Sequence, residues 1–84
     1  MTREEIQIEI LKILKEEFEI ENPEMDDNLS EKYHFDSIDA IQLLSEIEDL
    51  LKSELTMEEK TLAMDIRTIN QICDYVESLL KDRS

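Results

Sequence analysis

The first apolar run poses a choice between two periods. Ile6-Gln7-Ile8-Glu9-Ile10 alternates apolar and polar residues, as a half-buried strand does. Yet Ile6, Ile10, Leu11, Leu14 and Phe18 continue as the stripe of a helix with roughly 3.6 residues per turn. The residues ahead of the run decide for the helix. Thr2-Arg3-Glu4-Glu5 is a capping box, in which Thr2 accepts from the N3 amide while Glu5 reaches back to the N-cap amide. A helix is predicted from about Arg3 to about Ile20. Asn22-Pro23 stops it, because proline lacks an amide hydrogen and disfavours helix in the residue before it.

Residues 22–35 show no repeating pattern. Met25, Leu29, Tyr33 and Phe35 interrupt this polar connection and are expected to pin it to the core. A pinned connection of this length is usually functional or bridges distant helix ends. From about Ser37 to about Lys52 a second long helix is expected. Ile41, Leu44, Ile47 and Leu51 form one face, widened by Ala40, Leu43 and Leu50, with Glu46, Glu48 and Asp49 mostly on the other side. Thr56-Met57-Glu58-Glu59 is another capping box and opens a short helix ending near Ala63 or Met64. A Thr68-Ile69-Asn70-Gln71 box opens the last helix, whose Ile69, Ile72, Cys73, Val76, Leu79 and Leu80 make a clean amphipathic stripe. The order is long helix, long loop, long helix, short helix, long helix, without repeats or low-complexity segments.

Composition agrees with an all-α chain. There are no glycines and one proline, so tight hairpins, whose turns need positive φ, are hard to build. The 84 residues suit a single domain with a thin core and little room for a deep active-site pocket. The net charge of −14 repels nucleic acid and anionic membranes and favours basic protein patches. No apolar run approaches the roughly 20 residues of a membrane span. One cysteine excludes an internal disulfide and fits a reducing compartment. A cytoplasmic protein without membrane insertion, a monomer that meets protein partners, is the expectation.

Catalytic and metal chemistry find little support. The one histidine, His34, stands three residues before Ser37, and nothing supplies an oxyanion hole, so no catalytic set is assigned. One Cys and one His cannot build a structural zinc site. Asp26-x-Asn28-x-Ser30 opens like a calcium loop, but Glu31 stands where Gly is required and Ser37 where the bidentate Glu belongs. Cys73 lies on an apolar stripe and reads as a buried, inert thiol.

Phe35-Asp36-Ser37-Ile38-Asp39 remains. As local structure, Asp36 or Ser37 is the N-cap of the second long helix. A serine there is also exposed at the positive end of a helix dipole, where free backbone amides can stabilise a phosphate ester.

In this stretch the chain resembles the acyl carrier protein family. Asp36-Ser37-Ile38 is similar to the family's D-S-[LIM] signature, Leu29 and Tyr33 match its apolar approach, IDAIQLLSEIEDLL its second helix and TINQICDYVESLL its last. The resemblance covers essentially the whole chain. It implies a four-helix bundle, three helices long and helix III short, that carries substrates and is no enzyme. It implies 4′-phosphopantetheine, derived from coenzyme A, on Ser37. A phosphopantetheinyl transferase, using magnesium, would install it, and acyl-transferring, ligase or synthase enzymes with basic docking patches would read it. Partner contacts would fall on Asp36, Ile38, Asp39, Ile41, Glu46, Glu48 and Asp49, although spacing alone also allows Ile41 in the core. His34 stands where the family usually has Gly, Gln42 where an acidic residue is common, and KSELTMEEKTLAMDIR is longer than usual. These departures suggest a specialised paralogue. Three functions compete: an acyl carrier for fatty-acid, lipid or polyketide synthesis, which the acidic second helix favours; an aminoacyl or peptidyl carrier of the same fold; and an unmodified acidic module that binds a basic partner.

Overall fold

Capping residues set the helix boundaries. The computed structural model describes residues 1–83. Helix α1 spans Arg3–Phe18, and both halves of its capping box form: the Glu5 amide donates to Thr2 Oγ1 at 3.2 Å and the Thr2 amide to Glu5 Oε1 at 2.9 Å. It ends before Ile20. Glu19 turns left-handed (φ 57°), and the Ile20 amide folds back onto the Leu14 carbonyl at 3.0 Å, which buries Ile20 in the core. Helix α3 spans Ser37–Leu51 and α4 spans Met57–Leu62, followed by a 3₁₀ turn at Ala63–Asp65. Helix α5 spans Ile69–Arg83.

The 22–35 connection holds a further helix, α2, at Leu29–Tyr33. Asn28 caps it, accepting from the Glu31 amide at 3.0 Å, so the residues that mimic a calcium loop serve as helix caps and loop ties. The expected pinning is present. The Leu29 amide donates to the Arg67 carbonyl (2.8 Å), the Asn70 amide to the Met25 carbonyl (3.1 Å) and Asn70 Nδ2 to Asp26 Oδ1 (2.6 Å). Phe35 meets Phe18 edge-to-face at 5.3 Å. These contacts fix the approach to α3.

Ile6, Ile10 and Leu14 of α1, Leu43, Leu44 and Ile47 of α3, and Ile69, Ile72, Cys73, Val76 and Leu79 of α5 are buried together with Leu29. Each fully buried Ile or Leu stabilises the fold by roughly 1.5–3 kcal/mol relative to exposure. One face differs from the spacing-based expectation. Ala40, Leu43, Leu44, Ile47 and Leu51 turn inward at i, i+3, i+4, i+7 and i+11, which leaves Ile41 about a quarter-turn off the stripe and 63% exposed. Arg3 ties α1 to α5 through Asp74 (2.6 Å) and Glu77.

A second tie joins α4 to the end of α5. Arg83 donates twice to the Glu59 carboxylate, at 2.9 and 3.0 Å, and the Tyr75 hydroxyl donates to the Glu59 carbonyl at 2.6 Å. The Arg83 hydrogen bonds hold the Glu59 carboxyl down at about 2, and burial pushes the Tyr75 hydroxyl up to about 12. A carboxyl depressed in the folded state stabilises it fully above the ordinary carboxylate range and loses that contribution as pH falls towards about 2. The melting-temperature difference between the wild type and Glu59→Gln should therefore be present at pH 7 and shrink between about pH 4.5 and 2. A difference that stays constant over that range would mean the pair contributes no pH-dependent stability.

Elsewhere carboxylates face one another. Desolvation, then Glu17 and Asp49, raise the Glu46 carboxyl above its usual range. The ion pairs of Arg3, Lys32 and Arg83 lie away from that α1–α3 face. Raising ionic strength from about 0.01 to 1 M shortens the screening length from about 30 to 3 Å, so salt should raise the melting temperature. Magnesium should act likewise. A melt indifferent to both would show that self-repulsion is small.

Candidate functional site

Between α2 and α3 the chain makes one left-handed step. His34, the C-cap of α2, has φ 57° and ψ 32°. A glycine adopts this conformation without steric cost, and a residue with a Cβ does not. Phe35 then packs on Phe18, and Asp36 caps α3. Its Oδ1 accepts from the Ile38 and Asp39 amides, each at 3.0 Å, while the Asp36 amide donates to Asp39 Oδ2 at 3.2 Å. The cap is therefore Asp36 alone. Ser37 is the first residue of the helix, exposed, and its hydroxyl has no partner among the described residues.

The same cap corrects one expectation. Free amides were expected to welcome a phosphate ester at this helix start. Asp36 takes two of them with its side chain, and its carbonyl accepts from the Ala40 amide at 3.0 Å. Of the four amides that open α3, only that of Ser37 has no partner among the described residues.

A groove of about 390 Å³ lies beside Ser37. Its buried and half-buried walls are Leu29, Phe35, Ala40, Ala63 and Ile66, and its exposed lining includes Ser37, Asp36, Met64 and Arg67. An uncommitted hydroxyl on the surface, opening onto an apolar trough, fits a flexible covalent arm. Ile66, Met64 and Arg67 escaped the sequence reading. They belong to the connection between the last two long helices, and only the 3₁₀ turn against α3 brings them to Ser37. The sole signal was that Arg67 is the one basic residue between Lys60 and Lys81.

The expected partner contacts divide into two groups. Asp36, Ile38, Asp39 and Ile41 gather around Ser37 in the first turn and a half of α3, with Ile38 75% exposed. Glu46, Glu48 and Asp49 lie further along, Glu48 about 16 Å from Ser37 by helix rise. Asp49 is exposed and Glu46 half-buried. Glu48 is partly committed, since its Oε2 accepts from the Leu55 amide at 2.8 Å and closes the turn after α3. Cys73 is buried, and burial pushes its thiol up, away from reactivity. Among the described residues, no helix is long and apolar enough to cross a membrane.

The family profile of the phosphopantetheine attachment site matches residues 9–76, from the middle of α1 to the middle of α5. The chain belongs to that family. It is a carrier protein whose cofactor is covalent 4′-phosphopantetheine, and carrier domains of this kind are generally not catalysts themselves. Searches of curated proteins and of solved structures gave no match.

Proposed function

We propose that this protein is an acyl carrier for fatty-acid, lipid or polyketide-type synthesis, acting as a single cytoplasmic, monomeric carrier domain, with the arm on Ser37. One observation carries the reading: the Ser37 hydroxyl is exposed and free of the cap, and it opens onto a trough walled by Leu29, Phe35, Ala40, Ala63 and Ile66. The apolar walls of the trough suit an acyl chain, which gains burial against them.

Phosphopantetheinyl transferase supplies the first step. Ser37 Oγ attacks the phosphorus of coenzyme A that bears the pantetheine, the O–P bond forms as the pyrophosphate bridge breaks, the adenosine 3′,5′-bisphosphate half leaves, and the hydroxyl proton passes to a base on the transferase. Once attached, the arm supplies a terminal thiol that holds acyl groups as thioesters. Asp36, Ile38, Asp39, Ile41, Glu46, Glu48 and Asp49 form the partner surface. Ile38 and Ile41 offer apolar contact in water, while the carboxylates steer basic docking patches. Each exposed pair adds only roughly 0–1 kcal/mol, which suits brief contacts with successive enzymes.

The test is mass spectrometry after incubation with coenzyme A and a broad-specificity transferase, followed by peptide mapping. One adduct on residue 37 is expected. No adduct would leave the third function, an unmodified module, standing.

A further inference from the structure

We propose that Arg67 is a positioning residue for the arm: its guanidinium holds the phosphodiester on Ser37 and lays the arm along the groove. This rests on Ser37 as the attachment residue.

An anion placed on Ser37 lacks the usual donors. The Ile38, Asp39 and Ala40 amides of α3 are engaged by Asp36, and the carboxylates of Asp36 and Asp39 stand on either side in a chain of net charge −14. A new negative charge there needs a cation. Of the residues lining the groove, Arg67 is the only basic one. Its bonding singles it out. Arg3 and Arg83 are each paired with carboxylates, whereas the Arg67 side chain donates, among the described residues, only through Nη1, to the Met64 and Ile66 carbonyls, at 2.8 Å each. Those bonds hold the guanidinium over the 3₁₀ turn that walls the groove and leave Nε and Nη2 uncommitted among the described residues. An arginine with no carboxylate partner among the described residues, in a chain with 23 acidic side chains, is therefore oriented beside the one place where modification adds an anion. Planar guanidinium donors match a phosphodiester's paired oxygens better than an ammonium does.

The experiment compares apo and holo protein, with mass spectrometry confirming one adduct. Absence of the adduct overturns the Ser37 reading and is seen before any Arg67 measurement. In the wild type, the Arg67 side-chain Nε–H resonance is expected to shift on conversion to holo. The ³¹P resonance of the diester should differ between wild type and Arg67→Gln, and the difference should collapse at high salt. Alkylation of the arm thiol, which Cys73 does not confuse because it is buried, should quicken about two- to fivefold in the variant, the range an exposed ion pair reaches. The wild-type apo-to-holo comparison holds even if Arg67→Gln loosens the turn. An unchanged Nε–H resonance with equal ³¹P signals overturns the proposal. An Arg67 response seen only when a dicarboxylic acyl group is loaded assigns the anion to the cargo and overturns the phosphodiester pairing.

Discussion

Ser37→Ala is expected to abolish phosphopantetheine attachment completely while leaving the melting temperature at or slightly above that of the wild type. The two halves of this result have separate causes. On the proposed reading the hydroxyl is the nucleophile, and no neighbouring group among the described residues replaces it in place. Ser30 also lines the groove, but it sits on α2, away from the Asp36–Asp39 cap. The fold, in contrast, makes no use of the Ser37 side chain, since Asp36 supplies both capping bonds. Alanine in the first turn has the better helix propensity by a few tenths of a kcal/mol. Asp36→Ala should behave in the opposite way. It removes two hydrogen bonds and a carboxylate at the positive end of α3, costing about 0.5–2 kcal/mol. In a domain of this size that lowers the melting temperature by roughly 4–8 °C per kcal/mol. The adduct should still form on Asp36→Ala, more slowly. An adduct on Ser37→Ala that maps to Ser30 or Ser45 would show the assignment to be wrong, and equal melting losses in the two variants would show that Ser37 shares the cap.

Helix order, capping boxes and core stripes were legible because each depends on residues close in sequence. Thr2 with Glu5 and Thr56 with Glu59 are pairs three residues apart, and both form as boxes. The resemblance around Asp36-Ser37-Ile38 supplied the family, and the match over residues 9–76 agrees. What stayed hidden is non-local or too short. Helix α2 is five residues long, too brief for a period to show, although Asn28 before Leu29 and Tyr33 was its trace. The rotation of α3 that exposes Ile41 depends on where α1 and the 3₁₀ turn sit, which spacing within α3 cannot tell. Glu48 reads as a surface acid, yet its tie to the Leu55 amide depends on a turn seven residues on. Arg67 reads as an isolated basic residue; the groove that gives it meaning is closed by chain about 30 residues away in sequence, Phe35 to Ala40.

Replacing Glu19, His34 and Lys52 together by glycine should raise stability by about 2 kcal/mol, or roughly 8–16 °C in melting temperature. All three close a helix in the left-handed region, at φ 57°, 57° and 54°, in a chain without a single glycine. A residue with a Cβ spends about 1–2 kcal/mol there, while glycine adds roughly 0.5–1 kcal/mol of entropy to the unfolded chain. The net gain per site is thus a fraction of a kcal/mol to about 1 kcal/mol, and the sites lie at three different helix ends, so the gains should add. They should not be equal. Glu19 also places a negative charge at the negative end of α1, beside Glu16 and Glu17, so its removal gains most. Lys52 is a cation at the C-terminal end of α3 and stabilises it through the dipole, so its replacement gains least. His34→Gly falls between, and it alone touches the approach to Ser37. If the left-handed step serves only to turn the chain, this variant should melt higher and accept the arm at an unchanged rate. A faster rate would show that His34 stiffens the approach and slows docking of the transferase. A lower melting temperature for all three single variants would mean that the side chains contribute more at these caps than their backbone strain removes.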